Sequence, residues 1–103
     1  MNIAICDVAI ERRRQIDAEG WTPEHDNDHL DGDLARAAAA YALYDLGVPG
    51  FAKVEGLDSP QLWPWSADWL KPKDRRRNLV RAAALLIAEI ERLDRSATFK
   101  TPN

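Results

Sequence analysis

The chain has one cysteine, almost no β-type alternation, no long apolar run and no excess of positive charge, and each shortage excludes a class of protein. Cys6 alone cannot close an internal disulfide, which suits a reducing cytoplasm. A membrane helix needs about 20 consecutive apolar residues. The opening MNIAICDVAI is too short and too interrupted by acid to span a membrane or act as a signal peptide. The net charge is −3 and the pI about 5.3, so no basic field attracts duplex nucleic acid. Only FAKVEGL at 51–57 hints at a strand, and β-branched residues are sparse. What remains is a chain of 103 residues, 46% apolar and 30% charged, which reads as one small all-α domain.

Periodicity predicts a three-helix bundle with helices over about 3–19, 27–46 and 74–95. In the first, Ile5, Ala9 and Ile16 share a face by i, i+4 spacing, with Ile3 and Ile10 beside it, and Gly20 ends the helix. The second carries Leu30, Leu34, Ala37, Tyr41 and Tyr44 on one stripe and stops at Gly47 and Pro49. Its AAAAYA run offers a small-residue face suited to close approach, including by another copy of the chain. The third places Leu79, Ala83, Leu86, Ile90 and Leu93 on a core stripe flanked by Val80 and Ile87. Residues 47–73 form a long Trp- and Pro-rich loop. Its Trp63, Trp65 and Trp69 would either cap the open end of the bundle or wall a site for a planar ligand, and one loop can do both.

GWTPEHDNDHLDGD at 20–33 holds two histidines and five carboxylates without one Lys or Arg. Thr22, Pro23 and Glu24 resemble a helix start. A helix continuing from there would bring His25, His29 and Asp33 to one face, with Asp26 nearby, as ligands for a divalent metal ion. Gly32 and the density of Asp argue instead for a later helix start, with the acids capping it and pairing with Arg and Lys. An EF-hand register starting at Asn27 puts His29 at position 3 and Ala38 at position 12, so that pattern fails.

KPKDRRRN at 71–78 crowds Lys71, Lys73, Arg75, Arg76 and Arg77 onto the N-terminus of the third helix, while Glu89, Glu91 and Asp94 lie near its C-terminus. Both ends oppose the helix dipole, at about 0.3–1 kcal/mol per misplaced charge. Asp74 offsets part of this as N-cap. An anion docking there, or the chain's own acidic segment, would account for the arrangement. Arg12, Arg13 and Arg14 form a second basic cluster, and that surplus favours an anionic small molecule.

EGWTPEHD, WPW and AEIERLDR, with the sequence around them, resemble a group of small phage and prophage proteins over nearly the whole chain. The resemblance implies a viral accessory protein working in the cytoplasm of a bacterial host. A second resemblance is to the all-α, MazG-like nucleotide pyrophosphohydrolases, whose EExxE and ExxD motifs hold magnesium. Glu91 and Asp94 match ExxD, but Asp31 and Asp33 followed by alanines stand where paired glutamates belong.

The first expectation is therefore a non-enzymatic protein that binds a phosphate-bearing nucleotide, sequestering a host immune signal as an anti-defence device. Arg12, Arg13, Lys71, Lys73 and Arg76 would hold phosphate, Trp65 or Trp69 the base, with Gln15 and Trp21 beside them, in a homo-oligomer. The alternatives are a metal-dependent nucleotide pyrophosphohydrolase using the His and Asp set, and a helical adaptor for a host protein.

Overall fold

A computed structural model describes residues 2–27, 32–52, 56 and 59–98. Four α-helices and one 3-10 turn make up its regular structure, with no strand among the described residues. Helix α1 spans Ile3–Glu19, α2 Pro23–Asn27, α3 Asp33–Leu43 and α4 Arg75–Thr98; the 3-10 turn is Ala67–Trp69. No described helix is long and apolar enough to cross a membrane. Most of FAKVEGL lies outside the described residues.

Local chemistry sets the boundaries. Asn2 accepts the Ile5 N–H at 2.9 Å to start α1, and Gly20 ends it in the left-handed region at φ 74°, returning its N–H to the Gln15 carbonyl. Thr22 Oγ1 accepts the His25 N–H at 3.2 Å, so the helix start read at Thr22-Pro23-Glu24 is real. That helix ends at Asn27, however. Gly32 adopts φ 81° immediately before Asp33 opens α3, so the helix expected over 27–46 spans Asp33–Leu43, and it closes at Leu43 rather than 46. Asp74 caps α4 through the Arg77 N–H at 2.8 Å.

The core lies between α3 and α4. Leu34, Ala37, Ala38, Ala40 and Tyr41 meet Ala82, Leu85 and Ala88, and the small side chains bring the two helices close. The AAAAYA face is thus consumed within the chain and is not open to another copy. Leu30 lies outside the described residues. Trp63 seals one end of this core, 6% exposed, its Nε1 donating to the Ser66 carbonyl at 3.0 Å.

Two expected core stripes face outward. Ile3, Ile5 and Ile10 of α1 are exposed, and the buried face is instead Glu11, Arg12, Gln15 and Glu19. On α4, Leu79, Leu86, Ile90 and Leu93 are exposed, while Asn78, Arg81, Ala82, Leu85 and Ala88 turn inward. The reason for α1 is complementarity. Glu11 accepts two bonds from Arg14 at 2.7 Å, one from Arg77 at 2.6 Å and one from Gln15 at 3.2 Å. Burial alone would raise the Glu11 carboxyl, but the Arg14 hydrogen bond and the charges of Arg14, Arg77 and Arg81 outweigh it and hold it below the ordinary carboxylate value. Glu11 is buried because it is paired, where an unpaired carboxylate would be excluded, although Gln15 Oε1 and Arg81 Nε beside it have no hydrogen-bond partner.

Candidate functional site

The turn at Gly20 places Glu19 and Trp21 side by side at the end of α1, and the loop before α4 brings Trp65, Ser66 and Trp69 to meet them. With His25 from α2, these residues line a cavity of about 310 Å³. Trp21 and Trp65 lie with ring centroids 5.1 Å apart, tilted by 47°. Trp65 meets Trp63 at 5.3 Å and Trp63 meets Tyr41 at 5.5 Å, both edge to face. The aromatic row therefore runs from the pocket wall into the α3–α4 core, which gives the wall a rigid backing.

Glu19 is the acidic group of the cavity. Its side chain is almost wholly buried, with Arg14 Nη2 at 3.0 Å and Lys71 Nζ at 3.7 Å. Lys71 stands at the rim, its ammonium 5.8 Å from the centre of the Trp69 ring. Its backbone is held from two sides. The Lys71 N–H donates to Tyr41 Oη at 2.9 Å, and Arg81 Nη1 donates to the Lys71 carbonyl. Burial pushes the Tyr41 phenol up, and the Lys71 N–H and the Arg81 charge offset only part of this, so the phenol stays neutral.

Of the residues expected at a ligand site, Trp21, Trp65, Trp69 and Lys71 are brought together here. The others are placed elsewhere. Arg12 is buried, donating to Asp26 at 2.9 Å, Glu91 at 3.0 Å and the Trp21 carbonyl at 3.1 Å, so it fastens α1 to α2 and α4. Arg13 is exposed and pairs with Asp17, Arg76 pairs with Asp7 at 2.9 Å, and Lys73 uses its backbone N–H on Asn78. Gln15 is buried against Glu11 and the Arg81 carbonyl.

The acidic segment acts as a clasp. Asp26 is fully buried between Arg12 and His25 Nδ1, and Arg95 reaches Asn27 Oδ1 at 2.9 Å and the Pro23 carbonyl at 3.3 Å. The partners of Asp26, Asn27 and Pro23 come from α1, from the neighbouring His25 and from the far end of α4; Lys71, Arg76 and Arg77 pair with Glu19, Asp7 and Glu11 of α1 instead. Of the four metal candidates, His25 and Asp26 belong to α2, Asp33 belongs to α3 and lies 3.8 Å from Arg36, and His29 lies outside the described residues. Gly32 breaks the single helical face that the metal reading required. Among the described residues no group of three or more His, Cys, Asp or Glu is arranged to hold a metal ion.

Glu19, His25 and Ser66 are pocket residues that the phosphate-and-base reading did not include. Glu19 stands at the last position of α1 before the Gly20 stop, and no pattern in the sequence marked it as a pocket residue. Ser66 had none either, because only the path of the loop brings it there. No family model, curated protein or solved structure matches this chain.

Proposed function

We propose that the protein binds a planar, phosphate-bearing small molecule of the nucleotide class in the tryptophan-walled cavity and holds it without turnover. The observation that carries this reading is the convergence of Trp21, Trp65 and Trp69 on a buried carboxylate with a lysine at the rim. Indole faces stack on a base for about 1–3 kcal/mol each. Glu19 accepts hydrogen bonds from a base's exocyclic amine, and Lys71 pairs with phosphate as it leaves Glu19. Arg12 supports the site from outside by bonding the Trp21 carbonyl. In a phage accessory protein acting in the bacterial cytoplasm, such binding would sequester a nucleotide signal of host defence.

The test incubates the protein with a mixed nucleotide pool, cyclic dinucleotides and ADP-ribose derivatives included, in magnesium and manganese. The filtrate is chromatographed, then the protein is denatured and its released contents are run alongside. A compound lost from the filtrate and recovered intact supports the reading, provided Trp65→Ala abolishes its capture. New products in the filtrate indicate a metal-dependent pyrophosphohydrolase, and an untouched pool leaves the adaptor role.

A further inference from the structure

The tryptophan walls of the cavity do not tell one base from another, because every base presents a π face to an indole. Discrimination falls to the few polar groups that meet the edge of the ring. Of Glu19, His25 and Ser66, two are engaged within the chain. Ser66 Oγ accepts the Asp68 N–H at 3.4 Å, and His25 Nδ1 lies 3.2 Å from the buried Asp26. Glu19 differs. Its side chain is 2% exposed, and both of its cations, Arg14 at 3.0 Å and Lys71 at 3.7 Å, reach the same oxygen, Oε1. Among the described residues no hydrogen bond or ion pair reaches Oε2. The cavity, about 310 Å³, is at the small end of ligand pockets and encloses one base rather than two.

We propose that Glu19 makes guanine the base this cavity accepts, an inference that rests on the nucleotide reading of the same site. A carboxylate only accepts hydrogen bonds, through two oxygens side by side. Among the common bases guanine alone offers two N–H donors side by side, from its ring N1 and its exocyclic amine. One carboxylate takes both in the parallel fork that it also gives a guanidinium. Adenine and cytosine set one donor beside a ring-nitrogen lone pair, which a carboxylate oxygen repels. Uracil and xanthine flank their one donor with carbonyls. Oε1 keeps Arg14 and offers its second lone pair as Lys71 leaves for the phosphate, while Oε2 takes the other N–H. Arg14 is itself anchored on both oxygens of Glu11 at 2.7 Å, so the reading group is fixed before a ligand arrives.

The experiment is equilibrium dialysis of the full chain against the 5′-monophosphates of guanosine, inosine, adenosine and xanthosine, with circular dichroism as the folding control. Guanosine monophosphate binds ~100-fold tighter than the adenosine and xanthosine compounds. Inosine monophosphate, which lacks only the exocyclic amine, binds ~10-fold weaker than guanosine monophosphate. Glu19→Gln replaces one acceptor by a donor and so matches the edge of adenine, which puts adenosine monophosphate ahead of guanosine monophosphate. A merely structural role for Glu19 would not reverse that order. Equal uptake of the adenosine and guanosine compounds by wild type overturns guanine selection and leaves the nucleotide reading standing. Uptake of none of the four overturns both. A folded Glu19→Gln that keeps the guanine preference overturns the role of Glu19; if that variant loses its helicity, the order of the four compounds on wild type decides alone.

Discussion

Helix α4 meets α3 through Ala82, Leu85 and Ala88, and meets α1 through Arg77, Arg81 and Glu91. The first contact is apolar and tolerant of direction; the second is made of hydrogen bonds and charges that fit only one alignment. The difference separates two tasks. Apolar burial against α3 supplies most of the driving force for folding, and the polar contact fixes how α1 and the following Glu19–Trp21 turn are set on it. The pocket lies at the end of the polar contact, so its geometry depends on the directional side rather than the apolar one.

Breaking the polar side should have the largest effect. Arg12→Ala leaves Asp26 buried without its cation, and urea denaturation should show a loss of about 3–5 kcal/mol. Replacing the pair together, Arg12→Met with Asp26→Leu, should cost far less in the same assay, because no buried charge is stranded. On the apolar side, Leu85→Ala should lower stability by about 2–5 kcal/mol through the cavity it leaves, measured by the same denaturation.

A third outcome concerns pH. The Glu11 carboxyl lies below its ordinary value in the folded state, so the stability it contributes is complete above the unfolded value near 4.5 and is lost as the pH falls through the lower folded value. Urea midpoints measured from neutral to acid pH should fall less steeply in Glu11→Gln than in wild type, although the variant starts lower. The smallest effect should come from Ile10→Ser. This residue is 65% exposed on α1, and its stability should change by no more than about 0.5 kcal/mol in thermal denaturation.

The failed periodicity on α1 and α4 shows where sequence reading ends. A pattern of Ile5, Ala9 and Ile16 states that a helix has an apolar face, but not that the face is the one buried. Glu11, Arg12, Gln15 and Glu19 have the same helical spacing; Arg14 pairs with Glu11 and Glu19 from within α1, but their other partners, Asp26, Lys71, Arg77, Arg81 and Glu91, lie across the Gly20 turn or far along the chain. Nothing local announces those partners. The tryptophan pocket was legible in part for a similar reason. Aromatic side chains in a loop must be covered, but which indoles converge depends on the path between Gly47 and Asp74.

By itself the sequence determined the all-α class, the caps at Thr22, Gly20 and Asp74, and the buried alanine face of α3, because propensity, capping and small-residue packing act within a few positions. Only the tertiary structure decided that α1 buries its charges, that α4 turns its leucine row outward, and that Glu19 and Lys71 join three tryptophans. The physical reason is that a buried charge is stable only when paired, and the pairs that fix α1, Arg12 with Asp26 and Glu91 and Glu11 with Arg77, join distant parts of the chain.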